Sequence, residues 1–596
     1  MSTTIGKVLG REFSIMGVSM HSARRGGRVA VVVVAILCPV GADAQLRQPE
    51  APGGSAPRQP VRAERLMVAA AHPLASEAGL EILRGGGGAI DAAVAVQGVL
   101  GLVEPQSSGI GGGGFLLYWS ETQRRVQSYD GREAAPVAAR EDRFLDGAGR
   151  PREFMSAVAS GRSVGVPGVL RMLELAHRHH GKLPWARLFD PAIRLAEAGF
   201  AMSPRLHRHL AQEELLRSDA GARRLWYRED GSPRPVGSAI TNPAYAGVLR
   251  AVAARGADGF YTGEIAADIV RAVRAQPGGD LSAEDLASYV AKEREPLCGA
   301  YRAYRICGMG PPSAGAIGVL QILGMLERRD FARAAPQSAA ALHLFIEAAR
   351  LAYADRTRFI ADPDFIGVPV GGLLAEGYLD RRARLIGERA MREAPAGEPE
   401  GAPALAQVPE TERAGTTHFS IVDAAGDALA MTSSIENVFG SRILVRGFLL
   451  NNELTDFSFL PSAHGLPAAN RVEPGKRPRS SMAPTLVFSA DGGLRMALGS
   501  PGGPLIINYV AKTLVGSLDW GLDVQQAIAL PNFAGIEGAA LIERGSRYES
   551  LRDELASRGH TLRLITLTSG VHGIERVPGG WRGGADPRRE GLARGE

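Results

Sequence analysis

Between residues 393 and 415 the chain reads EAPAGEPEGAPALAQVPETERAG, and proline, glycine, alanine and glutamate at this density cannot build a hydrophobic core. The segment is expected to be an exposed, mobile linker, and it divides the 596 residues into two unlike parts. Before it, helical periodicity runs over Leu74–Leu83, Ala89–Val103 and, as a long amphipathic stretch, Leu342–Phe359, with a short apolar strand at Phe115–Trp119. After it, the pattern becomes strand-rich. His418–Val422, Ala428–Ser433, Pro484–Ser489 and Leu494–Leu498 are short runs separated by Asp/Gly turns, followed by helical runs at Ile506–Leu518 and Tyr548–Ser557. Sheets backed by helices on both sides suit this order.

Alone, such a linker reads as an ordinary connection between domains. The residues that follow it, Thr416-Thr417-His418-Phe419-Ser420, favour a processing site. If the backbone is cut before Thr416, that residue carries a free amine beside its hydroxyl, a base and a nucleophile in one. An α-amine titrates near ~7.7–8, so it serves as a base at neutral pH.

The first 44 residues have the pattern of a secretory leader. Arg24, Arg25 and Arg28 precede the apolar stretch Val29–Val40, and Ala42-Asp43-Ala44 supplies small residues before Gln45. The apolar stretch is too short for a stable membrane anchor. The expected location is periplasmic or secreted. The leader carries three of the five net positive charges, so the remainder is nearly neutral and no nucleic-acid case survives. Cys298 and Cys307 remain after the leader, either as a disulfide or as two buried thiols. His177, His179 and His180 have no acidic or thiol partner at ligand spacing, so no metal site is expected.

Gly109–Gly114 satisfies dinucleotide-fingerprint spacing, but it follows a helix and leads into a strand, the reverse of what that site needs. It is expected to be a tight packing turn. No G-x-S-x-G elbow occurs, so a conventional serine hydrolase has no support.

TTHFSIVDAAGDALAMTSSIENVFG (416–440), LLNNELTDF (449–457), KRPRSSMAPT (476–485) and GSPGG (499–503) closely resemble, in order and spacing, the gamma-glutamyltranspeptidases, also called glutathione hydrolases. MVAAAHPLASEAGLEILRGGGGAIDAAVA (67–95), EPQSSGIGGGGF (104–115), YDGREAAP (129–136) and the C-terminal GGADPRREG agree with them. The resemblance implies an α+β fold of the N-terminal-nucleophile hydrolase type, an αββα sandwich of two stacked sheets flanked by helices. It also implies autocatalytic cleavage between Gly415 and Thr416, giving a large subunit (45–415) and a small subunit (416–596). Glutathione and other γ-glutamyl compounds would be donors, and water, an amino acid or a dipeptide the acceptor. No cofactor is implied.

By the same resemblance Thr416 is the nucleophile and Ser434 falls where a threonine usually hydrogen-bonds it. The backbone of Gly502 and Gly503 falls at the oxyanion hole, where the lack of side chains admits a close approach. Arg132, Ser480 and Ser481 would hold the donor α-carboxylate, and Glu436, Glu453 and Asp456 its α-ammonium. Each alone would be an ordinary surface or turn residue; their joint occurrence carries the reading. Thr417 and His418 are expected to serve the fold, with the His418 side chain turned away from the catalytic face.

Asp427, Leu429, Ser434 and Glu436 depart from the commonest residues of the pattern. Glu436 adds a third carboxylate to the ammonium site, which favours donors with a free α-amine. Residues 458–475 correspond to a lid that lacks a covering tyrosine, so open access is expected. Two rival readings remain. One is a cephalosporin (glutaryl) acylase on the same scaffold, the other a secreted binding protein that keeps the fold unprocessed.

Overall fold

Residues of the strand Thr416–Val422 alternate between two chemically different surroundings. Phe419 and Ile421 join one large apolar cluster, while Val422 on the opposite face joins a second. The neighbouring strands Met67–Ala70, Gly113–Ser120 and Ala428–Ser434 divide their apolar side chains in the same way. A strand buried on both faces lies between two layers, and that requirement generates the architecture.

The computed structural model describes residues 57–329, 331–408, 415–536 and 538–596. The expected leader and linker residues 409–414 lie outside them. Two sheets of seven strands each form the centre. In the first, the strands run in the order Leu592–Gly595, Met67–Ala70, Thr416–Val422, Ala428–Ser434, Gly113–Ser120, Arg125–Gly131, Lys292–Arg294. In the second, the order is Val61–Ala63, Gly580–Ala585, His572–Val577, Leu494–Gly499, Thr485–Phe488, Tyr304–Gly308, Leu297–Tyr301. The smaller apolar cluster, with Trp119, Phe488 and Trp581, fills the space between the sheets. Helices Ala89–Val103 and Val169–His180 cover the first sheet; Gly315–Glu327, Ile506–Leu518 and Val524–Ala529 cover the second. The fold is therefore the αββα sandwich, and both sheets take strands from either side of the Gly415–Thr416 junction. Cutting the chain there would leave the pieces joined by strand pairing and by both apolar clusters.

The expected elements are present, with two differences. The helix Ala339–Phe359 is buried nearly all round rather than amphipathic, because it packs on Gly315–Glu327 and also on the strand Phe533–Ile536. Its polar side chains are satisfied inside: Arg382 donates to Asp355 at 3.0 Å and Arg350 to Glu347 at 2.8 Å. The linker is not exposed throughout. Ala406 and Val408 are buried against Ala468 and Leu466, and the Ala406 amide donates to the Pro467 carbonyl at 2.9 Å. This apolar ALAQV stretch anchors the linker on the segment expected to be a lid. Cys298 and Cys307 are cross-strand partners in a hairpin and form a disulfide.

The glycine loop at 109–114 is a packing turn, as its helix-to-strand context requires. A side chain at Gly111 or Gly112 would collide with the Leu449 or Ser434 carbonyl. His177 and His179 lie 3.4 Å from Asp91 and 3.7 Å from Glu293, partners brought by the fold rather than by sequence spacing. No described helix is long and apolar enough to cross a membrane.

Candidate active site

Thr416 begins its strand directly opposite Ser434, the last residue of the antiparallel neighbour. The Thr416 hydroxyl donates to Ser434 Oγ at 3.4 Å, and Ser434 Oγ donates to the Gly415 carbonyl at 3.1 Å. The Glu436 amide donates to the same Ser434 oxygen at 2.8 Å, which fixes the hydroxyl in place. A side chain at Gly415 would meet the Glu436 carbonyl oxygen and come within 2.6 Å of the Asn437 carbonyl carbon, so glycine is required there. Glu436 itself adopts a left-handed backbone (φ 69°), unfavourable for a residue with a side chain. Asn452 compensates by donating to its carboxylate and, through its side-chain oxygen, accepting from the Asn437 amide at 2.9 Å.

His418 does not turn away from Thr416. Side chains two apart in a strand share a face, so His418 lies on the Thr416 side and Thr417 is the residue that alternates away. The His418 ring sits between the sheets, within hydrogen-bond distance of Thr432 Oγ1 (2.9 Å) and Ser420 Oγ (3.1 Å), and it packs on Gly499. Burial holds it well below the ordinary histidine range, so it is neutral. Its contacts are structural, in keeping with a role in the fold.

Next to this hydroxyl corner lies a cluster of charges. Arg132 donates to Glu453 and, at 2.5 Å, to Asp456; its remaining donors reach the Pro478 carbonyl at 3.2 Å and the Arg479 carbonyl at 2.7 Å. Arg479 immediately precedes Ser480 and Ser481, which are buried beside it. The short helix Glu453–Asp456 presents both carboxylates on one turn, and Asn451 steadies its start by accepting from the Glu453 amide at 3.0 Å. Glu453 and Asp456 hold the Arg132 guanidinium firmly protonated despite its burial. Thus Arg132, Glu453, Asp456 and the 478–481 segment are brought together, and Glu436 reaches them through Asn452, the residue before Glu453.

Gly502 and Gly503 have φ of 138° and 55° and open the turn that enters the helix Ile506–Leu518. The loop continues from Gly499, which touches His418, so the turn lies at the Thr416 end of the strand. Phe459 is stacked on Phe144 with ring centres 4.5 Å apart, whereas His464 is at the exposed tip of the hairpin formed by Ser462–Ala463 and Leu466–Pro467. Thr416 is only 3% exposed, so open access is not a property of this uncut chain.

Three groups escaped the sequence reading although each lies inside a quoted motif. Asn452 precedes Glu453. Glu133 follows Arg132, and burial together with the neighbouring Glu453 carboxylate pushes it well above the ordinary carboxylate range. Arg589, in the C-terminal GGADPRREG, donates to the Thr416 carbonyl at 3.3 Å. Their neighbours in the motifs pointed to the site; their contacts needed three dimensions.

The sequence model of the gamma-glutamyltranspeptidase family matches residues 75–595. The chain belongs to that family. Relatives within it include the "Glutathione hydrolase proenzyme" of Bacillus subtilis (strain 168), 36% identical over 542 residues, which span 88% of this chain and 91% of the relative. The protein of the same name from Escherichia coli (strain K12) is also 36% identical, over 89% of this chain and 91% of its own. Among solved structures, the cephalosporin acylase from Bacillus halodurans superposes with a TM-score of 0.79 at 26% identity, covering 91% of this chain and 97% of its own. The chain is thus similar both to glutathione hydrolase proenzymes and to a cephalosporin acylase.

Proposed function

We propose that the chain is the precursor of a γ-glutamyl hydrolase and transferase, matured by its own Thr416 and acting on glutathione and related γ-glutamyl amides. The observation that carries this is the hydrogen-bonded run Thr416–Ser434–Gly415, which sets a hydroxyl beside the carbonyl it would attack. In maturation, Thr416 Oγ1 forms a bond to the Gly415 carbonyl carbon while the Gly415–Thr416 C–N bond breaks and the hydroxyl proton passes to the departing nitrogen. Ser434 stabilises the charge that develops on the Gly415 oxygen. Water then hydrolyses the ester, leaving a carboxylate on Gly415 and a free amine on Thr416. The products are a large subunit, 45–415, and a small subunit, 416–596.

The same hydroxyl next attacks the γ-carbonyl of the donor, with its proton taken by the Thr416 amine and passed to the leaving amine. The backbone N–H groups of Gly502 and Gly503 stabilise the oxyanion. A γ-glutamyl ester forms, and the amine then activates water, an amino acid or a dipeptide to release it. Arg132, Ser480 and Ser481 take the donor carboxylate; Glu436, Glu453 and Asp456 take its ammonium. In the uncut chain Arg132 is paired with Glu453 and Asp456, so the charges complementary to a zwitterion are already present and neutralise each other until one binds.

Three carboxylates at the ammonium site favour a γ-glutamyl donor over a glutaryl one, which has no amine to offer them. Hydrolysis of γ-glutamyl anilide against glutaryl anilide tests this: preference for the glutaryl compound would assign the chain to acylase chemistry. The leader pattern supports export to the periplasm or outside, where extracellular glutathione is available.

A further inference from the structure

Arg589 is buried at the junction of three segments that meet at the nucleophile. Its Nη1 donates to the Thr416 carbonyl at 3.3 Å, its Nε to the Ser569 carbonyl at 2.9 Å and its Nη2 to the Thr568 carbonyl at 3.3 Å. The side chain passes between Gly570 and the loop that carries Gly502. A Cβ at Gly570 would stand 2.6 Å from Arg589 Cδ and 2.7 Å from Pro501 Cγ, so the passage admits the arginine only because residue 570 is glycine. Arg58 clamps the backbone here by donating to the Arg589 carbonyl at 2.6 Å.

The other charged and titratable groups near this corner are engaged elsewhere or neutral. On the C-terminal segment, Asp586 accepts from Ser569 Oγ at 2.5 Å and from Arg588 at 3.1 Å, and Arg588 is also held by Glu543. Glu590 accepts from the Arg205 amide at 2.7 Å, and Arg205 is ion-paired with Glu104. On the strand His572–Val577, burial pushes His572 down to about 3; His72, before the first helix, is pushed down to about 4, and His418 is likewise kept neutral. From the Ser434 side, the Glu436 carboxylate accepts from Asn452, Glu133 is pushed well above the ordinary carboxylate range, and Glu453 and Asp456 face Arg132. Arg589 is the cation in direct contact with the residue whose amine must act as a base.

We propose that Arg589 is a charge-setting and positioning residue of the nucleophile: its guanidinium, held against the Thr416 carbonyl, keeps the amine released at that residue in its neutral, proton-accepting form at and below neutral pH. An ammonium one residue's width from a desolvated guanidinium is disfavoured by like-charge repulsion, which only one of the two can relieve by losing its proton. A guanidinium holds its proton far more strongly than an amine. Burial lowers Arg589 only to about 9, still above an α-amine. The inference rests on Thr416 being the N-terminal nucleophile.

The test uses the matured enzyme. Acetic anhydride labelling of the small-subunit N-terminus, followed by mass spectrometry across pH, reads the amine directly, and the acid limb of kcat/KM reads it in catalysis. The expected midpoint in wild type is below 7, against ~8 for an ordinary α-amine. Arg589→Gln should raise both the midpoint and the acid limb by about one pH unit, with about tenfold loss at pH 6 and much less at pH 9, while Arg589→Lys should restore the limb. A wild-type midpoint near 8, or an Arg589→Gln enzyme slowed equally at every pH, would overturn the proposal. If Arg589→Gln does not mature, the wild-type midpoint and Arg589→Lys decide. A small subunit that does not begin with Thr416 would instead defeat the underlying reading, and the same mass spectrum shows it.

Discussion

The two ends of the candidate site solve opposite electrostatic problems. At one end Arg132, Glu453 and Asp456 concentrate full charges, each buried and each answered by another. At the other, Thr416, Ser434 and the Gly415 carbonyl form a run of neutral groups with one buried cation, Arg589, on the Thr416 carbonyl, and burial keeps His418 and His572 uncharged. The charged end can recognise a zwitterion because its charges are already desolvated. In the proposed chemistry this end carries out acyl transfer, and Arg589, the cation beside it, holds its proton more firmly than the Thr416 amine would. Selectivity and chemistry are thereby placed in separate groups of residues, and they should fail separately.

Removing Arg132 should break the charged end most severely. Arg132→Leu leaves two buried carboxylates without their cation, a loss of about 3–5 kcal/mol in stability read by urea unfolding. If the protein still folds, Gly415–Thr416 cleavage should continue while kcat/KM for γ-glutamyl anilide falls at least about a thousandfold. Loss of cleavage in folded Arg132→Leu would show that the two ends are not separable.

At the neutral end, Ser434→Ala removes the donor to the Gly415 carbonyl. Cleavage should slow by about a hundredfold to a thousandfold, followed as precursor remaining on a denaturing gel, with the donor KM little changed. Gly415→Ala should slow it as well, since the new side chain meets the Glu436 backbone.

Acid should destabilise the fold through its buried neutral histidines. Burial pushes His572 down to about 3 in the folded state, against 6.5 when free, so the unfolded chain takes up a proton that the folded chain refuses. Its contribution to stability is complete above pH 6.5 and is lost as pH falls from 6.5 toward 3, a decline on the order of 5 kcal/mol. Unfolding free energies measured from pH 7 to pH 4 should fall, and His572→Asn should flatten that fall.

The smallest effect is expected from Glu436→Gln, which keeps the geometry and removes one of three carboxylates. The preference for γ-glutamyl over glutaryl anilide should narrow by less than about tenfold.

The fold and the outline of the site were legible in the sequence because both rest on short-range signals. The nucleophile strand, its neighbour and the helix Ile506–Leu518 follow from periodicity and turn residues, and the site residues from motifs in a recurring order. What was not legible depended on pairings distant in sequence. The helix Ala339–Phe359 reads as amphipathic because its polar residues find partners such as Arg382 only in the fold. Ala406–Val408 reads as mobile linker because the surface that receives it, around Ala468, lies beyond the junction. His418 was misplaced for a simpler reason: the strand period puts it on the Thr416 face, and its ring is accommodated there only because Gly499 has no side chain. Arg589 stands 173 residues from the carbonyl it holds.

The most direct test of the account is the N-terminal sequence of the smaller fragment in purified protein, compared between wild type and Thr416→Ala. The account predicts two wild-type fragments, the smaller beginning Thr-Thr-His-Phe-Ser, and one uncut chain for Thr416→Ala with no activity toward γ-glutamyl anilide. An uncut wild type that still hydrolyses the anilide, or a Thr416→Ala chain cut at the same bond, would contradict it.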